Sequence, residues 1–319
     1  MKYTCLFSEI GKKDVARAGG KGASLGEMTK KGFPVPPGFV VVSFAFESFL
    51  KVTDLHVEIS ALLDTVNIHE IHTVENAASK IQNLILQAYM PHEIEEHILC
   101  SFKKLNTPYV AVRSSATAED SLEAAWAGQL ESYLNTTEKT LLLHVQKCWA
   151  SLFTPRAIFY RLEKNLIKNP ISVAVVVQKM IQSDASGVAF SVHPVTEDKN
   201  QMIVEASYGL GEAVVSGSVT PDSYVVQKKP LALYDINVCV QTKGLYRGKE
   251  GNEWKKIPQK KGERQVLLDK EILELARIIM TQEEHCGFPV DVEWALEKGK
   301  FYVLQSRPIT TLKNKKLAS

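Results

Sequence analysis

The sequence predicts an α/β (α+β) fold, with helices concentrated in the first half of the chain and strands in the second. Residues 74–89 and 92–104 repeat apolar side chains at helical spacing. Residues 171–181 form an apolar, β-branched run, which is typical of a buried strand. Residues 291–307 alternate apolar and polar side chains on both sides of a turn, which predicts a hairpin.

At 319 residues the chain is long enough for two lobes that share a large core. We expect a first lobe with a helical insertion over residues 1–185, a second lobe over residues 186–312, and a basic tail over residues 313–319. The helical stretch from 138 to 166 should break at Pro155. A helix over residues 269–284 should end just before Gly287.

Composition excludes several classes of protein. The formal net charge of +2 gives no argument for a nucleic-acid or membrane partner. The five cysteines are scattered and odd in number, so we expect reduced thiols and a cytoplasmic location. The first ten residues lack the apolar core of a signal peptide, and the longest apolar stretches are too short to cross a bilayer.

The hairpin is the first candidate site. A three-residue loop over 297–299, with Gly299 at its left-handed position, predicts that Leu296 faces Lys300, Asp291 faces Gln305, and Glu293 faces Val303. One face then carries four polar side chains, Asp291, Glu293, Gln305 and Arg307. Carboxylate and amide oxygens suit Mg²⁺, and an arginine beside them suits phosphate. The alternative is an edge hairpin with a solvated, charged face.

The second candidate is the glycine-rich segment at residues 19–28, GGKGASLGEM. Its glycines allow close approach of a ligand, and the helix that follows favours an anion at its N-terminus. Lys21 would then place a positive charge on a phosphate. The spacing differs from a Walker A loop, and a plain turn before a helix is the alternative.

The third candidate is residues 109–120, YVAVRSSATAED, where an apolar strand leads Arg113 into a loop of small hydroxyl side chains. Such a loop offers many hydrogen-bond donors for phosphate oxygens. We expect a second flexible cover from the residues that follow, Gly128, Gln129 and Ser132. The alternative for Arg113 is an ion pair with Glu119 or Asp120.

The fourth candidate is the end of the apolar run at 171–181, which carries Gln178 and Met180. Backbone groups at this point can meet the edge of an adenine, and Met180 can pack on its ring. A central strand of any sheet has the same pattern, so the alternative is a purely structural strand.

Together these segments resemble, in order, the N-terminal ATP-binding domain of phosphoenolpyruvate synthase, pyruvate phosphate dikinase and rifampicin phosphotransferase. The resemblance runs from about Gly19 to Pro308. It rests on GGKGASLGEM, VPPGF, VRSSATAED, AGQ, CWASLFTPRAIFYR, VVQKM, SGVAFSVHPVT, YGLGE, PDSY, DVEWA and LQSRP. It implies an ATP-grasp fold, in which two lobes clamp a nucleotide.

The resemblance also implies roles for residues of this chain. Lys21 and Arg113 hold the phosphates, and Arg307 binds the terminal phosphates. Gly128 and Ser132 lie under a loop that covers the phosphates, and Gln178 lies at the adenine pocket. Glu293 and Gln305 bind the metal–phosphate unit, so the implied cofactors are ATP and Mg²⁺. Arg113 and Arg307 are the expected catalytic residues.

In this family a histidine in a T-S-H motif accepts the phosphoryl group. None of the eight histidines here has that context, and few residues follow Pro308. We therefore expect a phosphotransferase unit that donates from Mg-ATP to a phosphohistidine-domain protein in trans. The alternatives are a stand-alone kinase or ligase acting on a small molecule, such as an antibiotic, and an ATP-binding module without turnover.

Overall fold

The computed structural model describes residues 2–117, 131–164, 166, 172–249 and 251–309. The chain forms two compact units, the first comprising Met1–Lys31 and Pro37–Met180, and the second comprising Gly32–Pro36 and Ile181–Ser319. The sequence prediction placed the division after residue 185. Helices and antiparallel sheets occur together, which confirms the predicted α+β class.

The first unit contains a five-stranded antiparallel sheet in the order β1-β2-β5-β3-β4. Its strands are β1 (Thr4–Leu6), β2 (Gly38–Val41), β3 (Val110–Ala116), β4 (Ser132–Thr136) and β5 (Val173–Lys179). The apolar run predicted as a buried strand is β5, which lies at the centre of the sheet. Its β-branched side chains are fully buried, as expected for a strand covered on both faces.

Helices cover both faces of this sheet. The helices are α1 (Val15–Lys30), α2 (Ser43–Val52), α3 (Leu55–Asp64), α4 (Ile71–Gln87), α5 (His92–Lys104), α6 (Glu138–Ala150) and α7 (Pro155–Glu163). One sheet face, which includes Val112 and Val175, packs into a core with apolar side chains of α2 to α7. The Trp149 ring lies at the centre of that core, 4.9 Å from the ring of Phe49. The other face is covered by α1, where Gly22 approaches Val40.

The predicted helix boundaries agree with local chemistry. Pro155 is the first residue of α7, where its missing N–H costs nothing, and Thr154 caps the helix by accepting from the backbone of Ala157. The predicted break at Pro155 is thus confirmed, with a short 3₁₀ turn at Ser151–Phe153 before it.

The second unit contains a six-stranded antiparallel sheet in the order β13-β12-β6-β7-β8-β9. Its strands are β6 (Ala185–Phe190), β7 (Gln201–Tyr208), β8 (Asp222–Gln227), β9 (Ala232–Asn237), β12 (Val290–Glu297) and β13 (Lys300–Pro308). One face, which includes Val204, Tyr224 and Trp294, is fully buried. The helix α10 (Asp269–Cys286) packs on this sheet and ends at Gly287, whose φ of 76° provides the left-handed cap predicted from the sequence.

A two-stranded hairpin extends from the second unit. It consists of β10 (Lys243–Arg247) and β11 (Asn252–Lys256). The short helix α8 (Glu212–Val215) contacts β10, and the short helix α9 (Gln259–Gly262) follows β11 in the chain. None of the helices in the described residues is long and apolar enough to cross a membrane.

Candidate functional site

The glycine-rich segment lies directly against the end of β3. Gly19 interrupts α1 with φ 68° and ψ 168°, a conformation open mainly to glycine. A Cβ at Gly19 would lie 2.2 Å from Ser115 Oγ, so only glycine fits this contact. Ser115 Oγ accepts from the Gly22 N–H at 3.2 Å and donates to the Ala18 carbonyl at 3.0 Å. The glycines therefore serve close packing against β3 in this structure.

This packing brings Lys21 close to β3, the strand that contains Arg113. Lys21 lies in the first turn after Gly19, and its Nζ donates to the Ser114 carbonyl at 3.3 Å. Ser114 directly follows Arg113 in β3, so Lys21 contacts the residue next to the arginine predicted from a separate motif.

Arg113, Ser132 and Gln178 project from the same face of the first sheet. Arg113 lies directly opposite Ser132 in β4 and opposite Val176 in β5. Gln178 is two residues beyond Val176 in β5, which corresponds to about 7 Å along the strand. Ser132 is exposed and Arg113 half-buried, whereas only 1% of Gln178 is exposed. Arg113 and Ser132 can therefore meet a ligand, and the Gln178 side chain is enclosed by protein.

At the end of β5, where we expect the adenine edge, two backbone N–H groups already have partners. The N–H of Lys179 donates to the Pro37 carbonyl at 2.8 Å, and the N–H of Met180 donates to the Tyr109 carbonyl at 3.0 Å. Both donors are thus used within the first unit, and an adenine at this point would have to meet carbonyl groups or the Met180 side chain.

Gly128 lies outside the described residues. The neighbouring Glu131 lies just before Ser132, and burial raises the pKa of its carboxyl group, an effect that the charge of Lys147 opposes. The Glu131 carbonyl accepts from the Ser114 N–H at 3.2 Å, so the start of β4 is tied to the segment that Lys21 contacts.

In the second unit, the predicted hairpin exists but its register near the turn is corrected. Glu297 pairs with Lys300, so the loop contains only Lys298 and Gly299, not three residues. Both have positive φ, 52° and 75°, as a two-residue type I′ turn requires. Leu296 consequently faces Phe301 rather than Lys300, and Glu293 does not face Val303.

A β-bulge restores the predicted polar face. The register shifts between Glu293 and Trp294, so that Trp294 faces Val303 but Glu293 faces Gln305. Leu304 is the extra residue of β13 at this bulge. Beyond it, each side chain of β13 therefore projects from the opposite face to the one that it would occupy without the bulge. Asp291 then faces Arg307. The prediction that Glu293 and Gln305 share one face with Asp291 nearby is therefore confirmed, although it was reached from the wrong register.

An ion pair joins two of the four polar side chains of this face. Arg307 Nε donates to Asp291 Oδ2 at 2.7 Å, and 63% of the Arg307 side chain is exposed against 12% for Asp291. The buried carboxylate therefore orients an arginine that solvent or a ligand can reach. Exposed ion pairs contribute little to stability, so orientation is the main consequence of this contact.

The sequence analysis missed Glu205 in β7. Val188 lies opposite Glu293, and the register of β6 with β7 places Glu205 opposite Val188, so Glu205 projects from the same face as Glu293. Burial and then the negative charge of Asp291 raise the pKa of the Glu205 carboxyl group. One acidic residue within the apolar run MIVEASY was the available signal.

Glu293 and Gln305 fit a magnesium ion that is shared with phosphates. They are the only predicted metal ligands, and they are direct cross-strand neighbours with hard oxygen atoms. No group of three or more His, Cys, Asp or Glu side chains suited to a metal occurs among the described residues. The donor set suits Mg²⁺, which usually takes few protein oxygens and completes its coordination with water and phosphate.

Comparison with known proteins identifies the family of the chain. Residues 15–319 match the family model described as the pyruvate phosphate dikinase AMP/ATP-binding domain. The chain is 45% identical to a probable phosphoenolpyruvate synthase of Methanocaldococcus jannaschii, over 99% of this chain and 27% of that relative. It is 42% identical to a probable phosphoenolpyruvate synthase of Methanothermobacter thermautotrophicus, over 98% of this chain and 46% of that relative.

A rifampicin phosphotransferase of Bacillus subtilis is 36% identical over 95% of this chain and 35% of its own length. The chain thus spans less than half of the length of each of these three relatives. The match to the family model, in contrast, extends over almost the whole chain. The chain therefore belongs to the pyruvate phosphate dikinase AMP/ATP-binding domain family.

Proposed function

We propose that this chain is the Mg-ATP-binding unit of a phosphotransferase and donates a phosphoryl group to a histidine on a separate domain or protein. The observation that carries the proposal is the polar face of the β12–β13 hairpin. There the bulge places Glu293 opposite Gln305, and Asp291 orients Arg307. Within a family of AMP/ATP-binding domains, this set of oxygens and a guanidinium suits a metal–triphosphate ligand.

The proposed mechanism is mainly charge neutralisation. Phosphoryl transfer depends on positioning the reactants and on stabilising negative charge that spreads over the phosphate oxygens. We assign Arg113 and Arg307 to phosphate oxygens, because a guanidinium can bind two oxygens at once. Lys21 would add a compact positive charge. No residue of this chain needs to act as a nucleophile.

Glu293 and Gln305 would hold Mg²⁺. The ion, when bound, would neutralise part of the negative charge of the phosphates. Glu293 would supply the anionic oxygen of this pair, and Gln305 a neutral one. Arg307, oriented by Asp291, would contact phosphate.

The remaining predicted residues would shape the nucleotide site. Ser132 is exposed opposite Arg113 and would donate its hydroxyl to phosphate, with Gly128 in the covering loop. Gln178, whose side chain is enclosed, would act on the adenine pocket by supporting the end of β5. This support would place Met180 against the ring.

The acceptor is the open part of the proposal. Two relatives named as probable phosphoenolpyruvate synthases are more than twice as long as the region they share with this chain. This supports an acceptor histidine outside the matched region, as the resemblance implies. The relative named rifampicin phosphotransferase supports a second candidate, transfer to a small molecule such as an antibiotic.

Labelled ATP distinguishes these candidates. The chain is incubated with Mg²⁺ and ATP carrying ³²P at either the β or the γ position. It is incubated alone, with the unmatched part of the Methanothermobacter relative, or with rifampicin. We expect acid-labile label on the added protein, with AMP and inorganic phosphate as the other products, as the resemblance implies. Label on rifampicin would favour the small-molecule kinase. Binding of ATP without transfer in any arm would leave the module without turnover as the better description.

A further inference from the structure

Residues 241–264 concentrate positive charge on the second unit. They contain eight basic and three acidic residues, whereas the complete chain has a net charge of only +2. The other 295 residues therefore carry a net charge of −3. All eight basic side chains of this segment are exposed. They are Lys243, Arg247, Lys249, Lys255, Lys256, Lys260, Lys261 and Arg264.

The hairpin places like charges directly opposite one another. Lys243 pairs with Lys256 across β10 and β11, and the next pair on the same face is Leu245 with Trp254. Like charges in this position destabilise a sheet. Lys255 forms an ion pair with Glu253, but neither Lys243 nor Lys256 forms one within the described residues. The protein tolerates this cost at a surface position, where either residue could be polar and neutral.

The segment is anchored at both ends by hydrogen bonds to the rest of the second unit. The fully buried Asp222 accepts from the Cys239 N–H at 3.0 Å and from the Val266 N–H at 2.8 Å. The Leu210 N–H donates to the Leu245 carbonyl at 2.8 Å, which ties β10 to the chain that follows β7. A charged surface that is held rigidly loses little conformational entropy on binding.

We propose that the basic face of this hairpin, defined by Lys243, Trp254 and Lys256, docks an acidic surface of another protein. Opposite charges on a partner would compensate the unfavourable Lys243–Lys256 pair. Trp254 is 44% exposed and offers a large, rigid contact area beside the charges, as aromatic side chains do at protein interfaces. The proposal does not depend on nucleotide binding.

The geometry favours a protein partner over a nucleic acid. Lys243 Nζ lies 4.3 Å from the centre of the Trp254 ring, so this face of the ring is covered and not open to a nucleic-acid base. Outside residues 241–264 the chain has a negative net charge, which does not favour an extended polyanion such as a nucleic acid. A compact positive patch with one partly covered aromatic side chain matches an acidic protein surface of limited area.

The test uses the complete chain and poly-L-glutamate as the acidic probe. Trp254 provides the signal, since the other two tryptophans of the described residues, Trp149 and Trp294, are fully buried. Comparison with Trp254→Phe separates its signal from that of Trp126, which lies outside the described residues. Binding should change tryptophan fluorescence, and the change should disappear in Trp254→Phe. The double variant Lys243→Gln/Lys256→Gln should bind about tenfold more weakly. The control Lys12→Gln/Lys13→Gln removes the same charge from two exposed positions in the first unit and should bind like the wild type.

Stability and competing ligands complete the test. The hairpin double variant should unfold at the same temperature as the wild type or a higher one, because it removes a repulsive pair. A lower temperature would assign the lysines a structural role and overturn the proposal, as would equal weakening in the control variant. Tighter binding of a single-stranded oligonucleotide through the same lysines would assign the face to nucleic acid. A dimer, seen by light scattering, that these substitutions dissociate would make a second copy the occupant.

Discussion

At the scale of single residues, Arg307 connects the fold to the proposed chemistry, since its position is set by Asp291 and most of its side chain is exposed. We expect Arg307→Lys to weaken Mg-ATP binding by about 1–3 kcal/mol, because the charge remains but the fork that binds two oxygens is lost. Calorimetric titration measures this change. Arg277→Lys on the exposed side of α10 is the matched control and should bind normally; equal affinity in both variants would remove Arg307 from the site.

Glu205 predicts a pH dependence of stability. Burial and Asp291 raise its pKa above the ordinary value near 4.5, so the folded protein binds this proton more tightly than the unfolded chain does. Its contribution to the free energy of unfolding is therefore present at low pH and is lost as pH rises from the ordinary pKa through the folded one.

Glu205→Gln should flatten this loss and raise the stability at neutral pH relative to the wild type. Urea unfolding between about pH 4 and pH 8 measures it, and Glu274→Gln on an exposed position of α10 provides the control. If the free energy of unfolding changes with pH in parallel for the wild type and Glu205→Gln, the raised pKa of Glu205 is contradicted.

A comparison of Gly19 with Gly32 distinguishes the cost of backbone strain from the cost of overpacking. Both have positive φ, but a Cβ at Gly19 meets Ser115, whereas a Cβ at Gly32 meets nothing within 4 Å. Gly19→Ala should lower the free energy of unfolding by roughly 2–6 kcal/mol, from backbone strain and overpacking together. Gly32→Ala should cost only about 1–2 kcal/mol. Equal losses in denaturant unfolding would show that contact with β3 does not explain the glycine at position 19.

At the scale of elements, the β12–β13 hairpin shows how far alternation predicts structure. The pattern of apolar and polar residues was enough to predict one face with Asp291, Glu293, Gln305 and Arg307. It did not distinguish a three-residue loop from a two-residue loop followed by a bulge, because both pair odd-numbered with odd-numbered residues at the site. The choice depends on positive φ at Lys298, which lysine adopts at a cost and which composition does not reveal.

The turn provides a prediction at this scale. Asparagine is favoured before glycine in a type I′ turn, so Lys298→Asn should raise the free energy of unfolding by up to about 0.5 kcal/mol. Gly299→Ala should lower it by roughly 1–2 kcal/mol. Thermal or urea unfolding measures both. A gain from Gly299→Ala would mean that the turn is not of this type.

Other elements were predictable for local reasons. Pro155, Gly287 and the β-branched run of β5 each act through a backbone or steric preference that neighbours do not change. The contact of Gly19 with Ser115 joins segments more than 90 residues apart, so the sequence placed Lys21 and Arg113 in one site only through the family resemblance. Glu205 was missed for the same reason. The strand β6 lies between the strand of Glu205 and the strand of Asp291, so no local sequence pattern relates the two residues.

At the scale of the whole molecule, the proposal separates binding from turnover. Transfer to a positioned intramolecular acceptor can lower a barrier by roughly 7–11 kcal/mol relative to a diffusing one. We therefore expect this chain alone to consume ATP slowly, and an added phosphohistidine domain to accelerate AMP formation. Chromatographic analysis of nucleotides over about an hour measures this. Many turnovers per minute without any acceptor would favour a self-contained enzyme.

Calorimetric titration of the chain with ATP, with and without Mg²⁺, tests the central claim most directly. The account predicts binding that Mg²⁺ strengthens in the wild type. It also predicts that Glu293→Gln loses most of this Mg²⁺ dependence, whereas Glu274→Gln retains it. Absence of measurable binding at about 1 mM Mg-ATP, equivalent to less than about 4 kcal/mol of binding free energy, would contradict the account. So would an Mg²⁺ dependence that is unchanged in Glu293→Gln.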